Sequence, residues 1–209
     1  VLFISCSFIS VLTPPFQSPD EYDHVKRAYL LSKGVIVLDA PPGEAESGGM
    51  VDTGLLAYMN LYNWYSYEEN NKLSLREDEF ASSIEWAGTE QFSPAPGTGY
   101  YFPLIYAPQA AGLAMGELLD LTVDHSYRLA RLVTLAAISL ALLWAFRLYP
   151  PSTLVLSLLA LPMSLFQMST ASLDGISTAV TILAISAFLR IAQDKENARR
   201  WLVVLLAAC

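Results

Sequence analysis

Charged residues are scarce in this chain of 209 residues and are unevenly distributed along it. Asp, Glu, Lys and Arg make up only 15% of the sequence, whereas 54% of the residues are hydrophobic. Three runs contain no charge at all: residues 132–146, 152–171 and 175–189. A helix of about 20 apolar residues matches the hydrocarbon core of a bilayer. The runs also lack the alternation of membrane barrel strands, so they predict transmembrane helices.

Cysteine and histidine are equally scarce, with two residues of each. Cys6 and Cys209 lie in apolar runs and are interpreted as small hydrophobic residues, not as a disulfide or a metal pair. The sequence has no phosphate-binding loop, no nucleophile elbow and no zinc-ligand spacing. It therefore indicates no metal site. The cofactor stays unknown, and a divalent metal is the alternative left open.

The net charge of −8 originates mainly in one part of the chain. Residues 13–126 contain 17 acidic and 5 basic residues, whereas residues 127–209 contain 3 acidic and 7 basic residues. Because a nucleic-acid-binding protein needs a basic face, this balance speaks against nucleic acid as a partner. The contrast also predicts that the two parts face different environments.

The positive-inside rule orients the predicted spans. The short basic loop 190–200 is expected in the cytoplasm, which makes segment 13–126 extracytoplasmic. The predicted spans cover residues 1–12, 127–147, 152–171, 174–190 and 201–209. The first and last look truncated, although a cleaved signal peptide is an alternative for residues 1–12. The chain is accordingly predicted to be a fragment of a multi-pass protein of the cytoplasmic membrane.

Two helices are predicted within the extracytoplasmic segment. Ser18, Pro19 and Glu21 have the spacing of a capping box with proline at the first helical position, which predicts a helix over about 18–33. Residues 103–118 contain two prolines, two glycines and a glutamate, so they are interpreted as a helix lying on the membrane surface. A short true span is the alternative for that second helix.

Three further segments of the extracytoplasmic part carry weaker patterns. Residues 35–39 are predicted to form an extended strand. Residues 53–67 are rich in aromatic and apolar side chains, which suits packing at the membrane interface. Residues 68–98 are charged and then rich in proline and glycine, and are predicted to be a surface loop.

Three carboxylates are candidates for a functional site, and each has a structural alternative. Asp20 and Glu21 lie in the predicted first turn of a helix, where carboxylates stabilise the helix by about 0.3–1 kcal/mol through its dipole. Asp174 lies at a predicted membrane boundary beside two uncharged runs, where a lone carboxylate needs a partner or a role. The residues alone leave both interpretations open.

His24 and a small basic cluster lie on the same predicted helix. His24 is on a polar helical face, where it is either a solvated side chain or a ligand-binding one. Lys26, Arg27 and Lys33 stand out in an acidic segment. They either bind a lipid phosphate or extend toward the membrane interface as ordinary cations do.

The order of several short motifs resembles a known family. Pro19-Asp20-Glu21 opens a helix after a span, residues 101–106 (YFPLIY) open a second helix, and residues 171–174 (ASLD) precede a span. This order resembles the amino-terminal module of the GT-C glycosyltransferases. The motif PDE followed by His24, together with YxPLIYxPQ, is similar to a bacterial membrane family, domain of unknown function 2142. The resemblance implies an all-α, polytopic helical bundle whose first extracytoplasmic loop carries two membrane-surface helices.

The resemblance also implies a function. GT-C enzymes transfer sugars from lipid-phosphate donors, so the expected partners are a polyprenyl-phosphate sugar donor, a glycan or lipid acceptor, and membrane lipid. Asp20 matches the catalytic acid of the first outer loop and Asp174 a second outer acid. The alternative function is a non-catalytic transporter or assembly protein of cell-envelope polysaccharide biosynthesis.

Substrate binding is expected from residues that follow the first acid. Lys26 and Arg27 are expected to stabilise the leaving phosphate, and Glu21 and His24 complete the predicted substrate-binding set. Two positions depart from the aminoarabinose transferases of the GT-C group. Asp23 stands where those enzymes have a basic residue, and Phe102 stands where they have lysine.

Overall fold

A computed structural model describes residues 2–67, 72–194 and 200–208, and most of these residues are helical. The helices are α1 (Leu2–Leu12), α2 (Glu21–Ser32), α3 (Thr53–Tyr67), α4 (Leu75–Ser82), α5 (Ala107–Leu118), α6 (Val123–Leu148), α7 (Thr153–Leu159), α8 (Pro162–Ser169), α9 (Asp174–Asp194) and α10 (Arg200–Ala208). Two strands, β1 (Gly48–Asp52) and β2 (Glu90–Pro94), pair antiparallel with Met50 opposite Phe92. Short 3-10 turns cover Thr98–Tyr100 and Pro103–Tyr106.

Two of the predicted spans are long helices. Within the described residues, α6 and α9 are the two helices long and apolar enough to cross a membrane. Helix α6 begins where the Thr122 hydroxyl accepts a hydrogen bond from the His125 amide, and α9 begins at Asp174. The predicted cytoplasmic loop includes residues 195–199, which lie outside the described residues, so the orientation of the helices stays a prediction.

The uncharged run 152–171 is divided into α7 and α8. Pro162 occupies the first position of α8, and the chain turns at Ala160 and Leu161 before it. A proline inside a helix removes one amide donor and clashes with the preceding turn, which explains the break. The continuous helix expected over this run is therefore two short helices.

Helices α5 and α6 form an antiparallel pair that packs through glycine. A Cβ placed on Gly112 would lie 2.4 Å from Ala130 Cα, and one on Gly116 would lie 2.3 Å from Ser126 Oγ. Later positions of α5 thus meet earlier positions of α6, so the helices run in opposite directions. Gln109 adds a hydrogen bond of 2.7 Å from Nε2 to the Ala171 carbonyl, which joins α5 to the turn before α9.

Three local predictions were wrong. Helix α2 begins at Glu21 with Asp20 as its N-cap, two residues later than the Ser18 cap predicted. Residues 35–39 do not form a strand beyond one bridge between Asp39 and Gly48. The segment interpreted as a surface loop contains helix α4 and strand β2.

Aromatic side chains of α3 pack inside the protein. Tyr58 and Tyr62 are buried, and their rings lie 5.2 Å apart between centroids. The ring of Phe16 lies 5.7 Å from Tyr58 and 4.9 Å from Tyr127 of α6. Such pairs contribute about 0.5–1.5 kcal/mol beyond their buried area. This cluster holds the chain after α1 against α3 and α6, next to the start of α2.

Candidate functional site

A buried carboxylate connects the start of α2 to two other parts of the fold. Glu21 is fully buried, and its Oε1 accepts hydrogen bonds from Tyr127 Oη (2.6 Å), Arg131 Nη2 (3.2 Å) and the Ala171 amide (2.8 Å). Its Oε2 accepts one from the Ser18 amide at 3.2 Å. Every donor belongs to the protein itself. Glu21, predicted to bind substrate, therefore occupies a structural position inside the fold.

Arg131 completes this buried arrangement from α6. Its guanidinium is buried and forms an ion pair with Glu21. It also donates to the carbonyls of Ser10 (3.2 Å), Thr13 (2.9 Å) and Pro14 (3.2 Å) at the end of α1. A fork of fixed donors suits several acceptors at once, which a lysine could not reproduce. The pair thus fixes α1, α2 and α6 together.

Asp20 precedes Glu21 and is placed quite differently. Its backbone is left-handed (φ 56°, ψ 10°), a conformation that aspartate tolerates better than most residues. Its carbonyl accepts the amides of Asp23 and His24, but its carboxylate makes no capping hydrogen bond. The side chain is exposed. The carboxylate therefore does not cap the helix by a hydrogen bond, and the structural alternative that remains for it is the interaction with the helix dipole.

Asp20 lies on the wall of an open cleft of about 600 Å³ between α2 and α3. Most of the polar lining consists of amide and charged side chains: Gln17, Asp20, Asp23, Lys26, Asn60 and Asn63. Apolar surface comes from Phe16, Tyr22, Leu56 and Met59. Amides and carboxylates beside aromatic rings match the hydroxyl groups and apolar faces of a sugar.

His24 lies on the other side of Asp20, against the turn before α5. The ring is buried and shares a 2.9 Å hydrogen bond between Nδ1 and Tyr106 Oη. Burial lowers the pKa of His24, and the negative charges of Asp174 and Asp20 partly oppose that effect. The imidazole is therefore neutral at pH 7. Burial also raises the pKa of Tyr106, so that phenol stays protonated.

Asp174, remote in sequence, is brought into the electrostatic range of His24. It is exposed at the first position of α9 and accepts a 3.1 Å hydrogen bond from Gln167 Nε2. The Ala171 amide that binds Glu21 lies three residues earlier, so the buried pair also positions the start of α9. Both predicted catalytic acids thus raise the pKa of His24 and partly oppose the effect of its burial.

The two predicted phosphate-binding cations have different surroundings. Lys26 lines the cleft, pairs with Asp23 at 2.8 Å and donates to the Pro94 carbonyl. Arg27 is buried and donates to the carbonyls of Val35 (2.9 Å) and Ile36 (2.7 Å) beyond the end of α2. Lys26 therefore belongs to the cleft, whereas the Arg27 guanidinium holds a turn of the chain.

Sequence reasoning missed the amides of α3 and most partners of Glu21. Asn60 and Asn63 are three residues apart, the spacing of one helical face, within a run otherwise rich in aromatic residues. That spacing was a usable signal. Tyr127 and Arg131 are four residues apart on α6, but nothing local connects them to Glu21, more than 100 residues away. Among the described residues, no three His, Cys, Asp or Glu side chains are grouped to hold a metal ion.

Comparison with known proteins identifies the family and no individual relative. No curated protein and no solved structure matched the chain. A family model described as predicted membrane protein (DUF2142) matches residues 3–209. Its description agrees with the two helices long and apolar enough to cross a membrane, and it implies a lipid environment. The chain belongs to this family of predicted membrane proteins, DUF2142.

Proposed function

We propose that the chain is part of a glycosyltransferase that acts at the extracytoplasmic face of the cytoplasmic membrane. The donor is a sugar linked to polyprenyl phosphate, and the acceptor is an envelope glycan or lipid. The observation that supports this most directly is the exposed Asp20 carboxylate, which makes no capping bond and lines a cleft rich in amides. Such a cleft suits a polyhydroxylated ligand beside a general base.

The proposed reaction needs one base and one leaving group. The acceptor hydroxyl attacks the anomeric carbon of the donor sugar and forms the new carbon–oxygen bond. The bond between that carbon and the phosphate oxygen breaks, and polyprenyl phosphate leaves with its electron pair. The hydroxyl proton passes to the Asp20 carboxylate, a transfer that typically contributes 10²–10⁴-fold to the rate.

Other residues at the cleft and beside it are assigned supporting roles. Lys26 is the cation of the cleft lining, so the leaving phosphate would interact with it in competition with Asp23. Asp174 and neutral His24 do not line the cleft, and we assign them to positioning the acceptor from beside it. Arg27 is left out of the proposed site because its guanidinium is engaged with backbone carbonyls.

Asp20→Asn in the full-length protein tests this function. The variant should lose transfer, because an amide cannot accept the acceptor proton, while stability changes by less than about 1 kcal/mol. The measurement is the envelope glycan profile of a deletion strain complemented with each variant. Release of polyprenyl phosphate from polyprenyl-phosphate-linked sugars by the purified protein provides a second readout.

Asp120→Asn is the matched control. Asp120 is also an exposed aspartate with a left-handed backbone (φ 52°), but it follows α5 and does not line the cleft. It should complement as the unchanged protein does. Full complementation by Asp20→Asn would refute the assignment of the base. A deletion that leaves every envelope glycan unchanged would refute the glycosyltransferase itself and favour transport or assembly of another product.

A further inference from the structure

We infer that an apolar surface beside the start of α5 inserts into membrane lipid and anchors that end of the helix. This surface, the apolar tip, consists of residues 35–38 and 99–104. Its proposed occupant is the acyl-chain boundary of the bilayer. The inference concerns membrane contact only and does not depend on the proposed function.

The apolar tip exposes large side chains that water would solvate poorly. Val37 is 80% exposed, Tyr100 94%, Phe102 70% and Leu104 64%. No Asp, Glu, Lys or Arg occurs in either segment. The two segments adjoin each other, because residues from both line one depression, which also has Glu46 and Ser47 on its wall. Contiguous apolar patches of this kind mark interaction sites with proteins or membranes.

The packing of α5 places the tip beside the apolar part of α6. Gly112 meets Ala130 and Gly116 meets Ser126, so the start of α5 lies toward the apolar middle of α6 and the end of α5 lies beside the polar beginning of α6. The start of α9 lies farther along α6, where Gly175 approaches Ile138. The tip therefore lies near the level at which α6 and α9 begin the stretch that can cross a bilayer.

The two ends of α5 differ in charge as a membrane interface requires. The tip has three consecutive aromatic residues, 100–102, which match the aromatic belts found at membrane interfaces. At the opposite end, Glu117 forms an ion pair with Lys33 at 2.6 Å, and Asp120 is exposed. This difference in charge is consistent with α5 having its first residues beside lipid and its last residues in water.

Continuity with the spanning helices favours lipid over a second copy of the chain. Leu140 of α6 and Phe188 of α9 are 67% and 57% exposed, in helices of the length and composition that cross a membrane. The bilayer that covers these side chains would also reach the tip. Tyr101 lies 6.1 Å from His24 between ring centroids, so this contact would hold the candidate site at the membrane surface.

Fluorescence quenching by lipid tests the inference in the full-length protein. Single cysteines replace Val37, Tyr100, Leu104 or Leu118 in a background whose native cysteines are serine, and each carries an environment-sensitive nitrobenzoxadiazole label. The protein is reconstituted in phosphatidylethanolamine–phosphatidylglycerol nanodiscs with acyl chains brominated near the headgroup. Leu118 is the matched control for Leu104, since it is an equally apolar leucine, 82% exposed, at the opposite end of α5.

Quenching by brominated lipid should be at least twofold stronger at positions 37, 100 and 104 than at 118. Positions 104 and 118 are about 20 Å apart along the helix, so the two labels report clearly different depths. Iodide in the water should show the opposite order. Variants count as folded when their size-exclusion profile equals that of the parent protein. Hydrogen exchange gives a second measurement without a label: residues 99–104 should exchange more slowly in nanodiscs than in amphipol.

Three outcomes would overturn the inference. Water would cover the tip if iodide quenched the labels at positions 37, 100 and 104 as strongly as the label at position 118. Equal lipid quenching at 104 and 118 would mean that α5 lies flat on the membrane. Protection of the tip that rises with the ratio of protein to lipid, without lipid quenching, would mean that a second copy covers it.

Discussion

Asp20 and Glu21 are adjacent acids of the same helix terminus, and the fold uses them in opposite ways. Glu21 is fully buried and accepts hydrogen bonds from four groups, including the guanidinium of Arg131. Asp20 is exposed on a cleft and makes no capping bond. A buried charge is tolerated only when its partners are complete, so Glu21 is committed to structure. The free charge beside it is the one available for chemistry.

The buried Glu21–Arg131 pair and its hydrogen-bond partners form a frame beside the open cleft. The Glu21–Arg131 pair joins α1, α2 and α6 and, through the Ala171 amide, the start of α9. Both predicted catalytic acids adjoin this frame, because Asp20 directly precedes Glu21 and Asp174 follows Ala171 by three residues. Side chains held by such a frame can keep a defined geometry while remaining exposed to a ligand.

Removal of Arg131 should have the largest effect on stability. Arg131→Met keeps much of the side-chain volume but leaves the Glu21 carboxylate buried without its cation. It also removes the donor to three carbonyls, one in the last turn of α1 and two just after that helix. We expect a loss of about 3–5 kcal/mol in the free energy of unfolding. Chemical unfolding in detergent micelles measures it.

Arg128→Met is the control on the same helix. Arg128 pairs with Asp124 at 2.7 Å, but its side chain is partly exposed. Asp124 is buried, but without Arg128 its carboxylate keeps the 2.6 Å hydrogen bond from Tyr58 Oη. Because the Arg128 guanidinium is partly exposed and donates to this one carboxylate, its loss should be milder than that of Arg131. Equal losses for the two arginines would contradict the structural role given to the buried pair.

Gly112→Ala should have an intermediate effect. The new Cβ would lie 2.4 Å from the backbone Cα of Ala130, so α5 must move away from α6. Overpacking of this kind typically costs about 1–3 kcal/mol. Gly99→Ala is the control, because its Cβ would meet its nearest neighbour, Ser47 Oγ, at an ordinary 3.6 Å. Unfolding midpoints that fall equally for both variants would show that close packing of α5 on α6 is not needed.

His24 should contribute a smaller and pH-dependent effect. Burial lowers its pKa below the unfolded value of about 6.5, so the unfolded state binds more protons in the window between the two values. The stability that His24 contributes is therefore complete above about pH 6.5 and declines as pH falls through that window. His24→Gln should remove this part of the pH dependence. The difference in unfolding midpoint between the two proteins, followed from pH 8 to pH 5, measures it, and parallel curves would contradict it.

Asp20→Asn should change stability by less than about 1 kcal/mol, which is less than Arg131→Met or Gly112→Ala, yet it should cause the larger loss of activity. The ranking of the variants by stability should therefore be the reverse of their ranking by activity. A variant of Asp20 that unfolds as easily as one of Arg131 would place both residues in the frame.

Much of the fold followed from local patterns in the sequence. The apolar runs predicted helices where α6 and α9 occur, and the start of α2 was correct to within a few residues. The strand prediction over 35–39 failed because a short apolar run does not distinguish a strand from an irregular segment. Strands β1 and β2 were missed because their residues are rich in glycine and polar groups, and their pairing is a contact across about 40 residues of chain.

The sequence by itself determined that this is a mainly helical protein with apolar segments of membrane length, and that its acidic residues concentrate before residue 127. It also singled out Asp20, Asp174 and His24 as candidates. Only the tertiary structure decided that Glu21 is buried against Arg131 while Asp20 lines a cleft. The reason is that burial and pairing of a charge depend on groups distant in the chain, and neither helical periodicity nor composition encodes which of two adjacent carboxylates will meet them.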